Sequence, residues 1–156
     1  MLKLRAKNWA LSWFILGALF SGCLLHAQNT AQIIDWKFLS QVEFKDQYFE
    51  DYEAWYLVPV FSEAVQKLDG QKVIIKGYVI PMDVEGGQYA LSAYPFSACF
   101  FCGGAGPETV MSLHFDEKPK RYETDDVVRF TGELHLNDSD FDDFNYVLKH
   151  AQPLKK

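Results

Sequence analysis

The strongest constraint on the fold is a strand pattern that runs through residues 127–136. Apolar and polar side chains alternate along this segment, and Gly132 interrupts it in the middle. A period of two is that of a β-strand that buries one face. Residues 72–82 repeat the alternation around Gly77, and a glycine inside a strand indicates a bulge or a sharp bend. Two long strands that bend in the middle predict a curved sheet rather than a flat one.

Three shorter segments complete a set of five predicted strands, over residues 89–94, 109–115 and 145–151. Bent strands must close on themselves or have their edges covered, because open strand edges promote aggregation. We therefore predict a mainly β fold with short flanking helices, in which residues 71–151 form a small five-stranded OB-like (oligonucleotide/oligosaccharide-binding) β-barrel. This architecture hosts many functions and selects none of them.

Residues 28–70 are predicted to extend the barrel on its N-terminal side, within a single domain of residues 28–156. A short helix is expected within residues 30–41, with Asp35 available as its cap, and a second helix over residues 61–68. Between them the sequence is rich in aromatic and acidic residues. We interpret this aromatic band as cover for one end of the barrel, with a platform for a ligand as the alternative.

The first 27 residues have the composition of an export signal. Three basic residues precede an apolar run over residues 9–25, and polar sequence follows Ala27. This order predicts a secretory signal peptide over residues 1–27, cleaved after Ala27. An uncleaved membrane anchor is one alternative; lipidation at Cys23 is another, because residues 20–23 resemble a bacterial lipobox. All three interpretations place the remaining 129 residues outside the cytoplasm, in the periplasm or cell envelope of a bacterium.

The charge of the chain lies mostly in this exported part. All 156 residues together carry a net charge of -6, from 15 Lys and Arg against 21 Asp and Glu. Since three basic and no acidic residues precede residue 28, the rest holds 12 basic and 21 acidic residues, a net charge of -9. A nucleic-acid-binding surface needs a basic stripe. We therefore expect no nucleic-acid partner, and contact with a membrane only through an uncleaved signal or a lipid anchor.

Cys99 and Cys102 form a Cys-x-x-Cys motif in a loop over residues 94–108. Two thiolates suit zinc, and a further ligand such as His114 or His135 would be needed to complete a tetrahedral site. A redox-active thiol pair is a second interpretation, although such motifs normally open a helix. A structural disulfide between Cys99 and Cys102 is the third, since exported thiols tend to oxidise.

The residues after the second cysteine shape the loop. Gly103, Gly104 and Gly106 resemble a phosphate-binding loop only superficially, because neither a Lys-Ser or Lys-Thr pair nor a helix pattern follows them. We expect these glycines to let the backbone reach positive φ beside the cysteines, before the loop ends at Glu108. The acidic residues 138–143 fail the calcium-loop pattern and are interpreted as a solvated turn.

Several segments resemble a family of exported bacterial proteins, the domain of unknown function 3299. Residues 68–81 are similar to its opening strand. Residues 94–110 are similar to a loop of the family in which an aromatic-proline segment is followed by Ala-Cys and then by a strand that begins with Val. Residues 35–39 resemble its early Trp-containing helix. The common family pattern has a histidine two residues after the cysteine, where this chain has Phe101 and then Cys102. The resemblance implies export and a fold, and it implies no activity.

The sequence thus predicts an exported, non-catalytic binding module whose functional end is the loop at residues 94–108, since function concentrates in loops between strands. Its expected ligand is a transition metal such as zinc, held partly by Cys99 and Cys102, or another envelope protein such as a transport component. The alternatives are a thiol-disulfide redox protein and an envelope interaction protein whose cysteines form only a structural disulfide. The sequence shows no local pattern of a catalytic triad, a zinc protease or paired carboxylates, which favours a protein that is not an enzyme.

Overall fold

The computed structural model describes residues 30–155. Its main feature is a closed barrel of five strands, β4 to β8, and two other strands form a separate antiparallel hairpin. The strands are β1 (Gln32–Ile33), β2 (Val42–Phe49), β3 (Ala54–Phe61), β4 (Gln71–Asp83), β5 (Gln88–Ser92), β6 (Val110–Leu113), β7 (Val127–Leu136) and β8 (Tyr146–Pro153). The helices are α1 (Trp36–Leu39) and α2 (Glu63–Gln66), with 3₁₀ turns at Glu50–Tyr52, Phe96–Ala98, Phe100–Cys102 and Pro107–Thr109.

Strand β4 closes the barrel. Its first half, residues 71–78, pairs with β7, and its second half, residues 78–83, pairs with β5. Gly77 lies beside this change of partner, where a side-chain carbon would come within 2.6 Å of the Ser92 carbonyl oxygen. Only glycine allows so close an approach of two strands. The other ladders join β5 to β6, β6 to β8 and β8 to β7, while β1 runs parallel beside β4.

The alternation predicted for the strands separates the barrel interior from its surface. Leu39 of α1 and Val65 of α2 are buried in the same core as the strands. Tyr146 Oη donates a hydrogen bond of 2.6 Å to the Leu39 carbonyl oxygen, so α1 closes one end of the barrel. The buried side chains of the barrel strands include Val73, Ile75, Val79, Leu91, Met111, Phe130, Leu134 and Leu148.

The segment before the barrel departs from the predicted helices. Asp35 caps α1 as expected, since its Oδ1 accepts a hydrogen bond of 2.8 Å from the Phe38 backbone N–H, but each helix has only four residues. The second helix begins after Ser62, because Phe61 is still part of β3. The aromatic band between the helices is the hairpin β2–β3, which pairs along its whole length.

The barrel strands occupy residues 71–153, since β4 begins at Gln71 and β8 ends at Pro153. The predicted signal peptide, with Cys23, falls outside the described residues. Between residues 30 and 155, none of the helices has the length and apolar character needed to cross a membrane.

Candidate functional site

The loop that carries the cysteine pair, residues 94–108, folds back over the outer face of the barrel. Ile80, Ala90 and Val110 lie on the outward side of β4, β5 and β6, yet they are buried. The side chains that cover them are Phe100, Phe101 and Phe144. These three rings meet edge to face. The loop therefore builds a second small core instead of standing free in solvent.

The two cysteines occupy different environments. Cys99 is completely buried, and its Sγ donates a hydrogen bond of 3.0 Å to the Phe96 carbonyl oxygen. Cys102 is exposed, and its backbone N–H donates to the Cys99 carbonyl oxygen at 3.2 Å. Both are free thiols at the two ends of one tight turn. A buried thiol behaves as a small apolar side chain, whereas an exposed thiol is accessible to reagents.

Of the three glycines after Cys102, Gly103 has the positive φ that the sequence predicts, whereas Gly104 and Gly106 do not. Gly103 ends the turn with φ of +71°, in the left-handed region that favours glycine. At Gly104 a side-chain carbon would lie 2.7 Å from the Ala98 carbonyl oxygen. A side chain would strain the backbone at Gly103 and would collide with the Ala98 backbone at Gly104.

The end of the loop packs toward the barrel core. The carbonyl oxygen of Gly106 accepts hydrogen bonds from the backbone N–H of Thr109 at 3.1 Å and from its hydroxyl at 2.7 Å. Glu108 is half-buried within this turn. Burial, with a smaller contribution from the charge of Glu108, raises the pKa of the Tyr146 phenol well above its usual range. Tyr146 therefore stays a neutral hydrogen-bond donor to α1.

His114 lies beside the second core and pairs with the acidic residues 138–143. Its Nε2 is 2.9 Å from Asp143 Oδ1, and the Phe144 backbone N–H donates to Ser112 Oγ at 3.1 Å. These two bonds hold Asp143 and Phe144 against β6, while residues 138–142 are exposed to solvent. A groove of about 570 Å³ borders the pair. Its lining includes Met82, Gln88, Ser112, His114, Asp142 and Asp143.

The predicted zinc ligands are not brought together. Cys99 is completely buried, Cys102 faces solvent and His114 is paired with Asp143. His135 is paired with a carboxylate on its own strand. Among residues 30–155, no three His, Cys, Asp or Glu side chains form a group able to hold a metal ion. A zinc site in this loop would require Cys99 to leave its buried position.

Over residues 54–58, strand β3 of the hairpin has one packed face and one exposed face. On the packed face the ring of Tyr56 stacks on Phe141, with centroids 4.1 Å apart, and Val58 is buried. On the other face, called the hairpin face below, Tyr48, Trp55 and Leu57 are 46%, 69% and 55% exposed. The rings of Tyr48 and Trp55 lie 5.5 Å apart. The aromatic band thus covers the protein on one side only, and periodicity missed the hairpin because aromatic residues occupy both faces.

Acidic residues surround the hairpin face. Asp46 lies directly opposite Leu57 on that face, and residues 50–53 add three acids at the tip. Residues 42–57 together hold five acidic residues and one lysine. Within the described part of the chain, none of these carboxylates takes part in a salt bridge. The hairpin face is therefore an apolar surface in a strongly negative setting.

Comparison with known proteins supports the fold. The structure of a DUF3299 family protein (domain of unknown function 3299) from Pseudomonas aeruginosa PAO1 is similar to this one, with a TM-score of 0.50 and 14% sequence identity. The match covers 81% of this chain and 97% of that chain. The resemblance that residues 68–81 and 94–110 indicate is thereby confirmed at the level of the fold. No family model matches the sequence, and no curated protein matches it significantly.

We expect iodoacetamide to alkylate Cys102 in the folded, reduced protein and to leave Cys99 unmodified, because only Cys102 is exposed. Tandem mass spectrometry measures the two rates, which should differ at least about tenfold. The variant Cys102→Ser is the control, and it should take up label at Cys99 only after unfolding. Equal labelling of both cysteines in the folded protein would contradict the buried position of Cys99.

Proposed function

We propose that this protein is an exported, non-catalytic binding module of the bacterial envelope. Its hairpin face holds a basic, partly apolar segment of another envelope protein, such as a transport component. The apolar and acidic character of the hairpin face is the observation that carries the proposal. Export is proposed from residues 1–27, whose composition is that of a signal peptide or a lipid anchor.

Three large apolar side chains lie side by side on the hairpin face. Tyr48 and Trp55 are directly opposed across the two strands, and Leu57 follows Trp55 on the same side of β3. Full burial of one such side chain contributes about 1.5–3 kcal/mol. Trp and Tyr are also the residue types that most often dominate the binding energy of protein interfaces. The hairpin face therefore has the composition of an interface.

The charge of the hairpin selects the kind of partner. With five acids and one lysine in residues 42–57, the hairpin repels an anionic lipid surface. A segment with Lys or Arg beside apolar residues would place its apolar side chains on Trp55 and Leu57 and its cations near Asp46. A cation is also attracted to the face of a Trp ring, and opposite charges accelerate association.

The hairpin is held in place by contacts near its tip and at its base. Tyr56 stacks on Phe141, whose ring also meets Phe49 edge to face. At the base of the hairpin, Phe61 packs against Tyr146 of the barrel core. A surface that is fixed before binding loses less conformational entropy when the partner docks. The packing of the hairpin thus favours binding by its exposed face.

The cysteine pair supports a second candidate, a thiol-disulfide redox protein. Cys99 immediately precedes the 3₁₀ turn Phe100–Cys102, and Cys102 is its last residue. A turn of four residues brings its first and fourth Cα atoms within about 7 Å of each other. Disulfides need a Cα separation in this range. Cys102 is accessible to a partner thiol. If the same pair forms only a structural disulfide, it pins the loop of an interaction protein.

We expect a disulfide between Cys99 and Cys102 to be reduced at a potential above about -300 mV. Its formation would draw Cys99 Sγ away from the Phe96 carbonyl oxygen that it contacts now. Titration in glutathione and dithiothreitol buffers, followed by thiol labelling, measures the potential. A pair that stays oxidised below about -300 mV would rule out the redox role and leave a structural disulfide.

A transition metal such as zinc is a further proposed ligand of the same loop. Cys99 and Cys102 would supply two of the four donors of a tetrahedral site. Because Cys99 is buried, its side chain would have to turn outward. The partner protein would then be the source of the missing donors.

A fluorescent peptide that alternates Lys and Leu tests the hairpin face. We expect it to bind the exported protein more tightly than a peptide that alternates Glu and Leu, because the hairpin is negatively charged. The double variant Trp55→Ala/Leu57→Ala should weaken binding at least about tenfold, equivalent to about 1.4 kcal/mol. Fluorescence anisotropy measures both differences.

Val60→Ala is the matched control for this experiment. Val60 is 44% exposed on the same strand, but it lies on the other side of the hairpin. Thermal unfolding followed by circular dichroism establishes that each variant folds. The proposal fails if both peptides bind equally, or if Val60→Ala weakens binding as much as the double variant does.

A further inference from the structure

A basic groove runs along the outside of the barrel between the start of β7 and the segment after β8. It encloses about 770 Å³. Its lining combines cations with exposed apolar side chains, namely Lys76, Lys120, Arg129, Lys155, Val127 and Leu154. Sequence periodicity did not indicate this groove, because its residues come from four separate segments. The lining residues belong to neither the hairpin nor the cysteine loop, and the charge of the groove is opposite to that of the hairpin.

Strand register places Lys76 and Arg129 side by side. They are partners in the β4–β7 ladder, so their side chains leave the same face of the sheet with Cβ atoms about 5 Å apart. Like charges in this arrangement destabilise a sheet. The chain has 21 acidic residues, yet between residues 30 and 155 none of the four groove cations forms a salt bridge. A ligand of opposite charge accounts for this arrangement better than the stability of the fold does.

The carboxylate of Asp126 does not neutralise the groove. Among the described lining residues it is the only acidic one, and its Oδ2 already accepts a hydrogen bond of 3.0 Å from the Glu123 backbone N–H. Lys120 is placed at the rim, with its Nζ 4.9 Å from the centre of the Tyr122 ring. The groove therefore keeps an excess of positive charge on an acidic protein.

One wall of the groove is apolar and fixed. Val127 and Leu154 are 47% and 37% exposed. The Leu154 backbone N–H donates a hydrogen bond of 2.8 Å to the Arg129 carbonyl oxygen, which holds the C-terminal segment beside β7. The charged and apolar sides of the groove are thus formed before any ligand binds.

We propose that the groove binds a small amphiphilic anion. Its phosphate or carboxylate head group lies on Lys76 and Arg129, and its apolar body lies against Val127 and Leu154. The planar guanidinium of Arg129 suits two parallel hydrogen bonds to such a head group. The volume of the groove is that of a small-molecule site, and the negative charge of the rest of the chain repels a long polyanion. A soluble amphiphile and a lipid in a bilayer present the same head-group chemistry.

Isothermal titration calorimetry of the exported protein with decyl phosphate, below its micelle-forming concentration, tests the site. We expect binding that Lys76→Gln/Arg129→Gln weakens at least about tenfold. Lys72→Gln is the matched control, because Lys72 lies on the same face of β4, opposite Glu133 and outside the groove. We expect the double variant to fold at least as stably as the wild type, since it removes a like-charge pair.

Vesicles that contain phosphatidylglycerol distinguish the two sources of the head group. If the protein binds decyl phosphate but not the vesicles, the ligand is a soluble amphiphile. If it binds the vesicles and the double variant does not, the ligand is a lipid. Both results support the proposal. Equal affinity for inorganic phosphate would overturn the role of the apolar wall. Three results would overturn the proposal as a whole. The double variant could bind decyl phosphate as tightly as the wild type does. The wild type could bind decyltrimethylammonium equally well, or a single-stranded oligonucleotide more tightly.

Discussion

The pairing of β4 with both β7 and β5 is the interaction on which the rest of the structure depends. It closes the sheet into a barrel, so that alternate side chains divide into a core and an outer surface. Val73, Ile75 and Val79 share one core with the other strands because of this closure. Gly77 permits it, since the strands approach too closely there for a side chain. An open sheet would also expose the backbone edges of β4 and β7.

The closed barrel offers outer surfaces with different chemistry. Along the second half of β4, Ile80 is covered by Phe100 and Phe101 of the cysteine loop, and Cys99 between them and Phe96 in that loop is buried. Along the first half, Lys76 lies beside Arg129 in a basic groove. Among the described residues, neither strand of the hairpin pairs with a barrel strand. The hairpin exposes Trp55, which is surrounded by acidic side chains. Because the hairpin and the groove are opposite in charge, we propose a different class of ligand for each.

Local patterns in the sequence predicted the local structure, but they did not predict which distant segments lie side by side. Residues 127–136 form β7 as their alternation indicates, and Asp35 caps α1 as its position indicates. The neighbour of Lys76, in contrast, is decided by a strand register that only barrel closure fixes. The cover over Ile80 likewise includes Phe144, which comes from a distant loop. For this reason the sequence did not show that Cys99 is buried and that His114 is paired with Asp143.

Site-specific photo-crosslinking in living cells tests most directly whether the hairpin face holds another envelope protein. A photoreactive residue in place of Leu57 should give one discrete adduct, whose cross-linked peptide carries Lys or Arg beside apolar residues. The same residue in place of Val60, on the opposite side of the hairpin, should give no such adduct. The variant Asp46→Lys should abolish the adduct at position 57. Adducts of equal yield at both positions, or a cross-linked peptide without basic residues, would contradict the proposed function.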